Sequence, residues 1–160
     1  MNIAEAITLL RKVKAHCPSQ LIDEYTPEAW AEVLEKVSFA DANEAVVLIC
    51  RQPLALGKTR YIEPGHIIGE VHRVRQMRLR YYGDVTIPDD LPDSKFHAFS
   101  IAVSRMAGDG TLTRADPNPT YADMEQAVAA IEEEQRRTEE RLDARRAESR
   151  IASVGWKVEN

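Results

Sequence analysis

Cysteine is scarce in this chain: two in 160 residues, Cys17 and Cys50, neither in a CxxC pair. That spacing argues against a zinc site and implies no disulfide framework, so both read as small buried apolar residues in a reducing cytosol. No apolar run approaches the ~20 residues that a membrane-spanning helix needs. The N-terminus lacks the basic-then-apolar pattern of a secretory signal, so the expectation is a cytoplasmic protein with no membrane partner. No internal repeat is evident. Nucleotide-binding glycine loops are missing, since neither GxxxxGKS/T nor GxGxxG occurs. The four histidines (His16, His66, His72, His97) stand apart, without HExxH spacing. Asp89 and Asp90 cluster in an acidic linker with no second ligand motif nearby, and Ser100 and Ser104 lack a nucleophile motif. The reading is of a protein with no catalytic residues, no metal and no cofactor.

What is present is charge, unevenly placed. The chain is 44% hydrophobic, enough for a core, and 29% charged, with a net charge of −5. Residues 1–50 carry −4, residues 51–83 carry +5 and residues 84–160 carry −6. Bulk charge would not draw such a protein to nucleic acid; a local patch would have to. The basic third centres on "EPGHIIGEVHRVRQMRLR", residues 63–80.

Helical periodicity runs along most of the chain. A first helix is expected over 2–17, capped by Asn2 with Glu5 three residues on, with Ile3, Ile7, Leu10 and Val13 inward. A second starts at "TPE", with Thr26 as N-cap and Pro27 in the first turn. Its apolar face is Ala29, Trp30, Val33, Leu34 and Val37. A third follows "FADANE", capped by Ser38 or Asp41, with Ala42, Ala45, Val46 and Ile49 inward. Residues 53–62 form a loop or a short extended piece carrying Lys58 and Arg60. The fourth helix runs from Pro64 towards Tyr82, with Gly83 as a left-handed stop. A segment with two prolines and four acids leads to an amphipathic helix over 93–107, with Phe96, Phe99, Val103 and Met106 on one side. A long charged helix begins after Thr120, capped with Asp123, and "IASVGWKVEN" reads as a mobile tail.

The fold class is therefore all-α: a helical N-terminal domain of about four helices, residues 1–83, and a helical, partly flexible C-terminal extension. Within the extension, 84–119 reads as an acidic, proline-bearing linker with one amphipathic helix, and 120–160 as a long charged helix with its tail. The expected core comprises Leu10, Trp30, Leu34, Ile49, Ile67 and Val71. On the fourth helix, Ile67, Ile68, Val71 and Val74 share a face. His66, Arg73 and Arg80 lie opposite, seven residues apart, and with Lys58 and Arg60 form the expected nucleic-acid row. Such a row gives salt-sensitive, mainly sequence-independent binding. Arg75 and Arg78 fall near the apolar face, where they must lay their stems along the core or meet acids from other helices. Met124, Val128, Ile131 and Leu142 follow a weak heptad seam and, with Trp156, are the expected partner-binding residues.

The order of a leading helix, "AWAEVL", "DANEAV" and "IEPGHIIGEVHRVRQMR" resembles small phage and prophage proteins related to replicative-helicase loaders and replisome organisers. The matching positions are Trp30 and Leu34, Ala42 and Ala45, then Pro64, Ile67, Val71, Arg75 and Arg78. "IPDDLPD" and "AGDG" resemble the family's second half, and the likeness covers roughly residues 1–110. It implies a non-catalytic DNA-replication adaptor in the host bacterial cytoplasm. Its partner would be a hexameric replicative helicase, engaged by a flexible C-terminal part and delivered to an origin protein on DNA. In this chain that part reads as a long helix.

Two other readings stand beside it. The third and fourth helices could form a helix-turn-helix-like pair in a DNA-binding regulator, although the 52–63 connection is longer than the usual turn of ~3–4 residues. The chain could also be a structural or interaction protein, homodimeric through 120–142.

Overall fold

The computed structural model describes residues 1–115 and 119–155, with side chains described as far as residue 148. Among them are six α-helices and no strand, so the protein is all-α. No helix is long and apolar enough to cross a membrane among the described residues. The chain divides into two units: Met1–Tyr82 with Gly108–Thr111, and Gly83–Ala107 with Leu112–Asn160.

In the first unit, α1 (Ile3–His16) starts at a full capping box: Asn2 Oδ1 accepts from Glu5 N at 2.9 Å and Glu5 Oε2 accepts from Asn2 N at 2.8 Å. The start of α2 (Thr26–Val33) departs from expectation. Thr26 is the first helical residue and Tyr25 the N-cap position, without a side-chain cap; Asp23 Oδ1 just upstream accepts from Tyr25 N at 3.1 Å and Thr26 N at 2.8 Å. Asp satisfies orphan helix-start donors at least as well as Thr does. In α3 (Phe39–Arg51), the cap is Ser38, whose Oγ accepts from Asp41 N at 3.1 Å. The last helix of the unit, α4 (Pro64–Tyr82), stops at Gly83, where φ is +93°.

Leu10, Trp30, Leu34, Ile49, Ile67 and Val71 are all buried and belong to one cluster, with Ala6, Leu9, Val13, Ala42, Ala45 and Val46. The inward face of α1 is shifted from the expected one: Ala6 and Leu9 are buried, while Ile3 and Ile7 are exposed. Val33 is likewise exposed and Ala31 buried in its place. The loop before α4 is held by Gln20, a buried amide whose Nε2 donates to Ile62 O at 2.6 Å and whose Oε1 accepts from Ile62 N at 3.0 Å. Both backbone groups of buried Ile62 are thereby satisfied, which a loop passing through a core requires.

In the second unit, a single 3-10 turn (Asp93–Lys95) leads into α5 (Phe96–Asp109), and α6 runs from Tyr121 to Gly155. The cap of α6 is the expected one: Thr120 N donates to Asp123 Oδ2 at 3.0 Å, and Asp123 N returns to Thr120 Oγ1. The helix continues through residues 151–155, which had read as aperiodic tail. On α5 the buried face is Ala98, Phe99, Ala102, Val103 and Ala107, with Phe96 exposed. Two ion pairs reach α6 from this segment, one from Lys95 of the turn to Glu132 at 2.5 Å and one from Arg105 of α5 to Glu134 at 2.9 Å.

Candidate functional site

The basic fourth helix separates into arginines that face the first unit's own acids and cations that do not. Asp41 is the hub. It sits in the first turn of α3 and is 6% exposed. Its Oδ2 accepts from Arg75 Nη2 at 2.8 Å and Nε at 3.2 Å, and its Oδ1 accepts from Arg78 Nη1 at 2.8 Å. Arg78 also reaches Glu44 Oε2 at 2.7 Å and Gly108 O at 3.1 Å, and Arg75 reaches Asp109 Oδ1 at 2.9 Å. Two guanidiniums therefore meet three carboxylates, and the cluster has no positive charge left for phosphate. Burial alone would push the Asp41 carboxyl up. The hydrogen bonds from Arg75, Arg78 and Ser38 outweigh it and hold the group below its ordinary value.

The expected nucleic-acid row is spread over different duties. Arg73 is half-exposed, and its Nε and Nη2 fork onto the buried carboxylate of Glu70, with the shortest contact at 2.5 Å. Arg60 donates to Ile49 O and Gln52 O, so its guanidinium closes the C-terminal end of α3. His66 lies in the first turn of α4, and its Nδ1 accepts from Glu63 N at 3.1 Å. That is the position a Glu or Gln occupies in a capping box. The side chains of Lys58 and Arg80 are exposed and make no hydrogen bond or ion pair among the described residues. Three of the five residues thus hold their own chain, and two remain as exposed cations.

The expected partner-binding seam is corrected in the same way. Met124, Val128 and Ile131 are buried within the chain, so none of them offers a surface to another molecule. Their i, i+4, i+7 spacing marks a buried stripe, and a stripe that faces its own chain has the same period as one that faces a partner. Leu142 is 47% exposed, and Trp156 lies outside the described residues. From residue 136 to residue 148 every α6 side chain is exposed. Ion pairs one turn apart decorate this stretch, including Arg136–Glu133 at 2.8 Å and Arg137–Glu133 at 2.7 Å.

Sequence reasoning missed three groups that organise the first unit: Gln20, Glu70, and Asp41 as more than a cap. A signal for Asp41 was present. Two arginines at the edge of an apolar helix face require an acid within reach, and the first turn of a packed helix is a common place for one. Nothing local marks Gln20, whereas Glu70 stands three residues before Arg73, a spacing at which opposite charges pair on a helix. No family model, curated protein or solved structure matches the chain.

Proposed function

We propose that this chain is a non-catalytic adaptor of phage DNA replication that binds a hexameric replicative helicase through the C-terminal half of α6. The observation that carries the reading is residues 136–148, three turns of helix exposed on every side. A helix that buries nothing of its own gains little stability from propensity alone. Its dense, two-signed charge suits recognition by a complementary protein surface. The helicase as partner comes from the resemblance of residues 1–110 to helicase loaders. The test is co-purification of the full chain, and of a chain truncated after residue 135, with the replicative helicase. The full chain is expected to form the complex and the truncated chain to lose it; no complex with the full chain would remove the reading.

The reading as a DNA-binding regulator rests on exposed Lys58 and Arg80 and on half-exposed Arg73. Its strength is limited by the contacts of Arg60, His66, Arg75 and Arg78. Homodimerisation through 120–142 loses the buried part of the seam as its contact surface.

A further inference from the structure

The first helix carries more apolar surface than the core covers. At about 100° per residue, Ala6, Leu9, Leu10 and Val13 fill an arc of roughly 100°, and all four are buried. Ile3 and Ile7 extend that arc by roughly another 60°. They are 50% and 37% exposed. A surface helix faces its core with an arc of at least ~100°, which the four buried residues already fill. The extra isoleucines are not accounted for by the fold.

The same side of α1 continues into positive charge. Arg11 lies one turn beyond Ile7, and Lys14 one turn beyond Leu10; both are exposed. With Ile22 and Pro27 from the following segment, Ile7, Leu10, Arg11 and Lys14 line a surface depression of about 350 Å³. Its aliphatic lining is accompanied by two cations and no carboxylate. Arg11 makes no hydrogen bond or ion pair among the described residues. Lys14 Nζ donates to Gln20 O at 2.7 Å and keeps further N–H donors. The acid of α1, Glu5, lies on the opposite side of the helix and is held by the Asn2 cap.

We infer that this groove is a docking site for an acidic amphipathic helix of a partner protein. Aliphatic side chains at i, i+4 and i+7 of that helix pack on Ile3, Ile7 and Ile22, and carboxylates on its flank meet Arg11 and Lys14. The stripe from Ile3 to Lys14 is about 16 Å long, or roughly three helical turns. That is the scale on which helix-in-groove recognition places its anchors. Charge complementarity selects the acidic ligand, because a basic helix would set like charges against the same rim. The groove is lined by residues between Ile7 and Pro27 only, and the inference does not depend on the helicase reading.

The test uses two synthetic amphipathic helices with the same leucine stripe, one with glutamate and one with lysine at its polar positions. Each is titrated into the isotopically labelled full chain at moderate salt, and amide shifts are followed. The glutamate helix is expected to shift Ile7, Arg11, Lys14 and Ile22 saturably. The lysine helix should bind at least tenfold more weakly. Ile7→Ser combined with Arg11→Glu should weaken the glutamate helix at least tenfold; Arg11→Glu alone, at an exposed position without contacts, serves as a second variant that keeps the fold. The inference is overturned by no saturable shift at millimolar peptide, by an equal response to both helices, or by shifts that map elsewhere. It is also overturned if the same amides move with protein concentration alone, since a second copy would then be the occupant.

Discussion

Arg78 and Asp41 meet at 2.8 Å across α3 and α4, and the same carboxylate holds Arg75 through its other oxygen. One acid in the first turn of α3 thereby decides that two of the four arginines of α4 serve the fold. The pairing supplies what their position on the apolar edge required.

Asp41→Asn should destabilise the first unit by about 2–3 kcal/mol in urea unfolding at pH 7. That lies below the ~3–5 kcal/mol of a fully buried pair because both guanidiniums reach solvent. The pH dependence follows from the depressed Asp41 carboxyl. Its contribution is fully present above the ordinary value of 3.8 and is lost as pH falls through the lower, folded value. The parent chain should therefore lose stability more steeply than Asp41→Asn below about pH 4, and parallel acid unfolding curves would count against this account.

Gln20→Leu preserves much of the side-chain volume but leaves the Ile62 N–H and C=O buried without partners. A cost of about 2–4 kcal/mol is expected, as for two unsatisfied buried backbone groups. Hydrogen exchange should show faster exchange of the Ile62 amide in the variant. Unchanged protection would mean that another group satisfies it.

Val128→Asp should unfold or strongly destabilise the second unit, by more than about 3 kcal/mol, because it buries an unpaired charge. Leu142→Asp should change stability by less than about 0.5 kcal/mol. Thermal melts of the two variants separate a buried stripe from an exposed helix; equal effects would contradict the burial pattern.

Duplex DNA binding, measured against salt, should be weak. With Lys58, Arg80 and half-exposed Arg73 as the solvent-facing cations of the expected row, binding through that row should give a log–log salt slope no steeper than about −3. Lys58→Glu with Arg80→Glu should flatten it by about two units. A steeper slope would require a different DNA surface.

The two thiols should differ in reactivity. Cys17 is buried, and burial first, with neighbouring Cys50 second, pushes its thiol up; Cys50 is half-buried. A maleimide at pH 8 should label Cys50 at least tenfold faster than Cys17, as mass spectrometry can follow. Equal labelling would contradict the core position of Cys17.

Much of the fold was legible because helix signals are local. Asn2 with Glu5, Ser38, Pro64, Gly83, and Thr120 with Asp123 each act within a turn of where they stand, so the chain order of the six helices and five of their boundaries could be read directly. The six core residues were legible for a related reason: an amphipathic helix shows its inward face in its own period. The exact arc was less so, and Ile3 and Ile7 read as inward because periodicity locates an apolar face without saying how much of it a neighbour covers.

The site was the less legible part. Sequence alone determined that α4 carries two kinds of arginine, since their angular positions follow from helix geometry. Tertiary structure decided what Arg75 and Arg78 meet, Asp41, which lies 34 and 37 residues away in sequence; Arg73 meets Glu70 three residues before it on the same helix, a local pair. Tertiary structure decided equally that Met124, Val128 and Ile131 face their own chain, and that Ile7, Arg11 and Lys14 face solvent. A side chain's charge and period are local properties. Whether that charge is neutralised, and whether that face is covered, depends on segments far away in sequence, which no local pattern specifies.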